Sequence, residues 1–214
     1  RTGVGQTANI GLIDGSRLTL DTDTTIRTQI TARKRLIFLD HGRAFFKVAH
    51  DRSRPFIVEA AGKSVTATGT AFEVTSEARR FEVLLVEGRV RVSLPAKNTG
   101  VAEERLVSTE LTPGTRLAGV EAGTWTLTRV DGRGELGWME GQLLFDNKPL
   151  GVIVAEMNRY SRRKILIDDP QVASRPVYGA FMAGDVDQFV RALVDYRIVR
   201  IKSQSESVVV LSAP

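Results

Sequence analysis

Hydrophobic and polar residues alternate in short runs from Leu12 to about Ala118, as in "SRLTL" (16–20), "KRLIFL" (34–39), "AFFKV" (44–48), "PFIVEA" (55–60), "FEVLLV" (81–86) and "RVRVSL" (89–94). A period of two, rich in β-branched and aromatic residues and punctuated by Gly and polar turns, predicts half-buried β-strands. No stretch of this half carries helical periodicity. Phe45, Phe46, Phe56, Phe72 and Phe81 sit within or beside these runs and are expected in the core.

After Trp138 the period changes. "GQLLFDN" (141–147) reads as a strand, and Asn147 with Pro149 supplies a helix start. Leu150, Ile153, Val154, Met157 and Tyr160 then recur at three and four, one apolar helix stripe. "KILID" (164–168) and "RPVYGAFM" (175–182) read as strands with a turn at Asp169-Pro170 between them. Asp185 is placed to cap a second helix whose Val186, Phe189, Val190 and Leu193 share a face. "YRIVRIK" (196–202) and "SVVVLS" (207–212) close the chain as two strands.

Glycines add a second regularity in the first half. Gly15, Gly42, Gly69, Gly88 and Gly114 each precede an alternating run, at separations of 27, 27, 19 and 26 residues. Recurring turn glycines of this spacing resemble rungs of a stacked structure. The expected fold is therefore a β-solenoid-like, rolled β domain over 1–132, with an ordinary β-sandwich as the competing arrangement. A small two-layer β-α-β-β-α-β-β domain follows over 138–214. The Gly-rich "DGRGELG" (131–137) marks the boundary. In "VTATGTAFEV" (65–74), Gly69, Thr70 and Phe72 form the structural motif, with Gly69 at a bend.

Composition narrows the function. The 214 residues are 42% hydrophobic and 26% charged, the balance of a packed globular chain, and no run of about 18 apolar residues suggests a membrane span. Cysteine is absent, which removes disulfides, thiol nucleophiles and thiolate metal sites and suits an oxidising compartment. The net charge of +5 is spread along the chain. Its densest basic run, Arg159, Arg162, Arg163 and Lys164, has no aromatic RNA-binding motif beside it, so a solvated helix end is expected and no nucleic-acid partner.

Candidate chemistry is sparse. His41 and His50 lack a third ligand at metal-site spacing, "GKS" (62–64) lacks the upstream glycine of a phosphate cradle, and no Gly-x-Ser-x-Gly elbow occurs. Glu82, Glu87, Asp40 and Asp51 are the carboxylates a glycoside hydrolase would need to pair. The expectation is a chain without catalysis, metal or cofactor. Trp125 and Trp138 flank the junction and are expected to pack there.

Several stretches resemble, in order, the FecR-type regulators: "TGVGQ", "LIDGSRLTL", "RLIFLDHGRAFFKVAHDRSRPFIVEA", "VTATGTAFEV", "VLLVEGRVRV" and "LTPGTRL". The join "GWMEGQLLFDNKPLGVIVAEMNRYSRRKILI" is similar to that family's passage into a C-terminal module resembling the secretin-and-TonB short N-terminal (STN) domain. The resemblance implies the periplasmic portion of an inner-membrane anti-sigma regulator from a Gram-negative bacterium. Its membrane anchor and cytoplasmic sigma-binding segment would be missing from this chain. It further implies that the signalling domain of an outer-membrane TonB-dependent transducer, loaded with a ferric siderophore, docks on the C-terminal region. Proteolysis of the regulator and release of an extracytoplasmic-function sigma factor would follow.

An open sheet edge is a template for another chain's strand. Candidates for such a surface are Val177, Tyr178 and Phe181 in "RPVYGAFM" and Val208 and Val210 in "SVVVLS", with internal strands the equal alternative for either segment. Two other functions stay open: an envelope-assembly β-protein that stacks into oligomers, and a carbohydrate-active β-solenoid.

Overall fold

The computed structural model describes residues 1–77, 80–95, 106–120 and 124–214. Two compact units emerge, one of residues 1–3 and 7–132 and one of residues 4–6 and 133–214.

Among the described residues twelve strands build the first unit: β1 (Ala8–Gly11), β2 (Arg17–Leu20), β3 (Thr25–Ile30), β4 (Arg35–Lys47), β5 (Phe56–Ala60), β6 (Lys63–Ala67), β7 (Ala71–Glu77), β8 (Arg80–Glu87), β9 (Val90–Pro95), β10 (Leu106–Leu111), β11 (Thr115–Val120) and β12 (Thr124–Arg129). They form one curled sheet of order β10-β9-β6-β5-β4-β7-β8-β11-β12, with β1, β2 and β3 attached beside β4. The expected rungs are not what the glycines mark. A solenoid stacks its turns in parallel, whereas among the described residues every pairing of this unit except β4 with β5 is antiparallel.

The 13-residue β4 is the pivot. The segments "KRLIFL" and "AFFKV" prove to be one strand: Arg35–Phe38 pair with β5, and Gly42–Lys47 with β7. Gly42 sits at the bend with φ of +99°, where an added Cβ would lie 2.7 Å from Thr24 Cα and 2.8 Å from Asp23 O, both backbone atoms. Gly69 lies where the chain leaves the β5–β6 hairpin for β7–β8 on the other half of the sheet, with φ of +150°. Gly88 and Gly114 stand at the next two crossings, and Gly15 closes the β1–β2 hairpin. The 26- to 27-residue spacing thus measures excursions through alternating hairpins.

Between the two halves lies a core containing Phe46, Phe56 and Phe72, all 0% exposed. Phe46 stacks on Phe72 at 5.2 Å and meets Phe56 edge-on at 6.0 Å. Phe81 is buried too, but Phe45, next to Phe46 on an alternating strand, turns to the opposite face and is only half-buried. Two buried ion pairs pin the connections. Arg35 donates to Asp14 Oδ2 (3.2 Å) and to the carbonyls of Ala49 (2.9 Å), Asp51 (3.1 Å) and Arg54 (2.6 Å), holding the excursion between β4 and β5. Arg43 donates to Asp21 Oδ2 at 2.7 Å.

The second unit starts with α1 (Gly132–Glu135) and a 3-10 turn (Gly137–Glu140). It continues through β13 (Gln142–Pro149), α2 (Leu150–Tyr160), β14 (Lys164–Ile167), α3 (Pro170–Ala173), β15 (Pro176–Met182), α4 (Val186–Asp195), β16 (Arg200–Gln204) and β17 (Val208–Ser212). The expected order of strands and long helices is present. Three local readings change. Asp169-Pro170 opens the short helix α3, with the Asp169 side chain accepting from Gln171 N–H. Asn147 does not cap α2; it takes φ of +51° at an irregularity of β13, and Leu150 N–H is satisfied by Arg175 O. The last strand pair starts later, because Tyr196 caps the C-terminus of α4 and Arg197 takes φ of +55°.

Candidate docking surface

Helices α2 and α4 turn Ile153, Met157, Phe189 and Leu193 inward, each at most 1% exposed. The strands divide into two small sheets, β13 with β15 and the order β14-β17-β16. Period-two alternation sorts the side chains. Leu143, Phe145 and Val177 are buried, and Phe181 is half-buried with its ring edge-on to Phe189 at 4.9 Å. On the opposite face of the same sheet, Leu144, Tyr178 and Met182 are exposed, Tyr178 at 63%.

The candidate residues therefore separate. Val177 is core. Phe181 is half-buried core, Tyr178 is surface, and Val208 and Val210 are half-buried on β17. Strand β17 lies between β14 and β16, so its backbone groups are engaged on both sides and "SVVVLS" is not an edge. "RPVYGAFM" is one: among the described residues β15 pairs with β13 alone.

The other edges of this unit are guarded. The Asn158 side chain donates to Ile165 O and accepts from Ile165 N–H, both at 2.8 Å, and so mimics a neighbouring strand along β14. Strand β16 carries Arg200 and Lys202 and a register shift between Ile201 and Ser203, and Lys202 donates to Asp168 at 2.6 Å. Strand β13 carries Asp146 and Lys148 around its own irregularity. Charges, bulges and prolines are the usual defences of an edge; in its seven residues β15 has no charge and no bulge of its own, and its proline, Pro176, stands at its first position.

The candidate catalytic groups are placed structurally. Asp40 is held by Arg27 (2.7 Å), and that hydrogen bond keeps its carboxyl below the ordinary value. Asp51 accepts from Ser53 and Arg54, hydrogen bonds that hold it lower still. A glycosidase acid needs the opposite shift. Glu82 is clamped between Arg80 (2.8 Å) and Arg116 (3.6 Å), and Glu87 is exposed at the end of β8. His41 faces Asp23 at 3.6 Å, and His50 lies against Gly69. Among the described residues no group of three or more His, Cys, Asp or Glu side chains is placed to hold a metal.

The basic run is a helix end: Arg159 pairs with Glu156, Arg163 with Asp187, and Lys164 donates to the carbonyls of Asn158 and Ser161. Trp125 packs edge-on against Phe81 at 6.0 Å within the first unit, with Lys63 over both rings. Trp138 is 1% exposed.

Comparison with known proteins adds three findings. Residues 1–91 match the family model described as FecR protein. Two crystal structures of a candidate anti-sigma factor from Parabacteroides distasonis, at 1.65 Å and 2.50 Å, match 100% of this chain and 97% of theirs at 23% identity, with TM-scores of 0.83 and 0.81. Identity at that level speaks for a shared fold across both units. No curated protein matches the chain.

Proposed function

We propose that this chain, FecR-type over its first 91 residues, is the signal-receiving, non-catalytic portion of an anti-sigma regulator that acts in the periplasm. In this reading the second unit binds the periplasmic signalling domain of an outer-membrane TonB-dependent transducer and relays iron-siderophore availability to an extracytoplasmic-function sigma factor. The observation that carries it is β15: an edge strand without charge that exposes Tyr178 and Met182, beside exposed Leu144 of β13. Such an edge gives affinity through main-chain hydrogen bonds and selectivity through alternate side chains. The β-α-β-β-α-β-β order of the long elements of the second unit supports taking it as an STN-like module in this reading.

Isothermal titration of the full chain with the signalling domain of a TonB-dependent transducer from the same organism tests the proposal. Binding at micromolar affinity or tighter is expected, and Tyr178→Ala should weaken it by about tenfold or more, the range of an aromatic interface anchor. Absence of binding by the wild-type chain at ~100 μM, a concentration at which any ~10 μM complex would be saturated, sinks it.

A further inference from the structure

The same edge is self-complementary. Ala183 N–H donates to Gly141 O across the β13–β15 pair. Backbone groups alternate in direction along an antiparallel strand, so Phe181 and Gly179 also address β13, while Met182, Ala180 and Tyr178 turn theirs to the open side. The side chains of Tyr178, Ala180 and Met182 are all exposed on one face.

We propose that β15 pairs antiparallel with β15 of a second copy of this chain, on a two-fold axis through Ala180. In that register Ala180 opposes itself and exchanges main-chain hydrogen bonds with its copy. Tyr178 opposes Met182 of the copy, an aromatic ring against a thioether, which attract each other. Met182 N–H reaches the Tyr178 carbonyl of the copy; the Met182 carbonyl is already engaged by Asp185 N–H. On the inner face Gly179 opposes Phe181 of the copy, and each Phe181 ring stays over Gly179 of its own strand. Isologous pairing brings no like charges together, because β15 contains none. It also turns a two-stranded sheet, marginal in length and number, into a four-stranded one. The pairing occupies the edge on which the docking reading rests, so self-association and partner binding exclude each other.

Two measurements on the full chain, with no partner present, decide the matter apart from the docking reading. Sedimentation from ~1 μM to ~500 μM should show a reversible monomer–dimer equilibrium, and Ala180→Lys, which sets two ammonium groups face to face, should raise the dissociation constant at least tenfold with unchanged circular dichroism and melting. The chain has no cysteine, so Ala180→Cys is a clean probe: opposed residues of a hydrogen-bonded pair lie about 5.5 Å apart at Cα, within disulfide reach. Ala180→Cys should oxidise to a covalent dimer at least tenfold faster than Ser205→Cys, an exposed control. A wild-type chain that stays monomeric throughout, a dimer indifferent to Ala180→Lys, or equal oxidation rates at 180 and 205 would each overturn the proposal.

Discussion

Large apolar side chains are exposed very unequally in the two units. Among the described residues Ile13 and Leu127 are exposed in the first, and Leu144, Val152, Leu166, Tyr178, Met182, Tyr196 and Ile201 in the second, which is the shorter. The first unit curls one sheet around stacked phenylalanines and locks its connections with buried ion pairs. The second stacks two helices on small sheets and leaves their opposite faces apolar and open. Scattered exposed apolar residues are ordinary; Leu144, Tyr178 and Met182 share the sheet whose edge is β15, and the proposed function makes that group the contact surface. On that proposal the first unit is support and the second contact.

The sharpest way to break the support is Arg35→Ala. It removes the cationic partner of Asp14, whose side chain is 1% exposed, and the donor to the carbonyls of Ala49, Asp51 and Arg54, and should cost about 3–5 kcal/mol, the range for removing one partner of a buried pair. Urea denaturation measures it, and a loss under about 1 kcal/mol would show that the pair is not a structural lock.

Gly69→Val comes next. An added Cβ would stand 2.4 Å from His50 Nδ1 and 3.0 Å from His50 Cα, and with the positive φ the expected loss is ~1–3 kcal/mol. Hydrogen exchange should place the change in β6 and β7 and leave the amides of α4 as protected as before. Wild-type melting would remove the bend assignment.

Acid should weaken the support as well. Burial pushes the Asp14 carboxyl up, but hydrogen bonds from the Ser16 hydroxyl and amide and from Arg35 outweigh it, so its folded value lies below the ordinary 3.8. Asp40 and Asp51 are also held low, by Arg27 and by Ser53 with Arg54 respectively. Groups depressed on folding add stability that is complete above the unfolded value and lost as pH falls through the folded one. Melting temperature should therefore stay level from about pH 7 to 5 and decline below about pH 4, less steeply in Asp14→Asn. A wild-type profile level to pH 2 would contradict this.

The smallest effect belongs to the contact unit. Arg197 occupies a left-handed position after α4, where its N–H reaches Val194 O, and Arg197→Gly should raise stability by about 0.5–1 kcal/mol. A destabilised variant in thermal melts would mean that the Arg197 side chain holds this corner.

The strand character of the first half and the two long helices were legible from the chain itself, because hydrophobic periodicity is a local property: two for the strands before residue 130, three and four for α2 and α4; the short helix α3, read as a turn, was not. So were the Asp185 cap, which accepts from Gln188 N–H, and the positions where the backbone must bend. Element boundaries at Tyr196-Arg197 and Asn147 were not, since a helix terminus is settled by which carbonyl finds a partner. Nor could the glycine spacing distinguish stacked rungs from alternating hairpins: both need a bend at the same interval, and only strand pairing over long sequence separation separates them. The docking surface divides in the same way. "RPVYGAFM" and "SVVVLS" carry equally apolar sequences, and what makes one an edge and the other a central strand is the presence of neighbours, β16 and β14 on both sides of β17 and β13 alone beside β15. Apolar character resides in the residues themselves; exposure depends on what the rest of the chain places beside them.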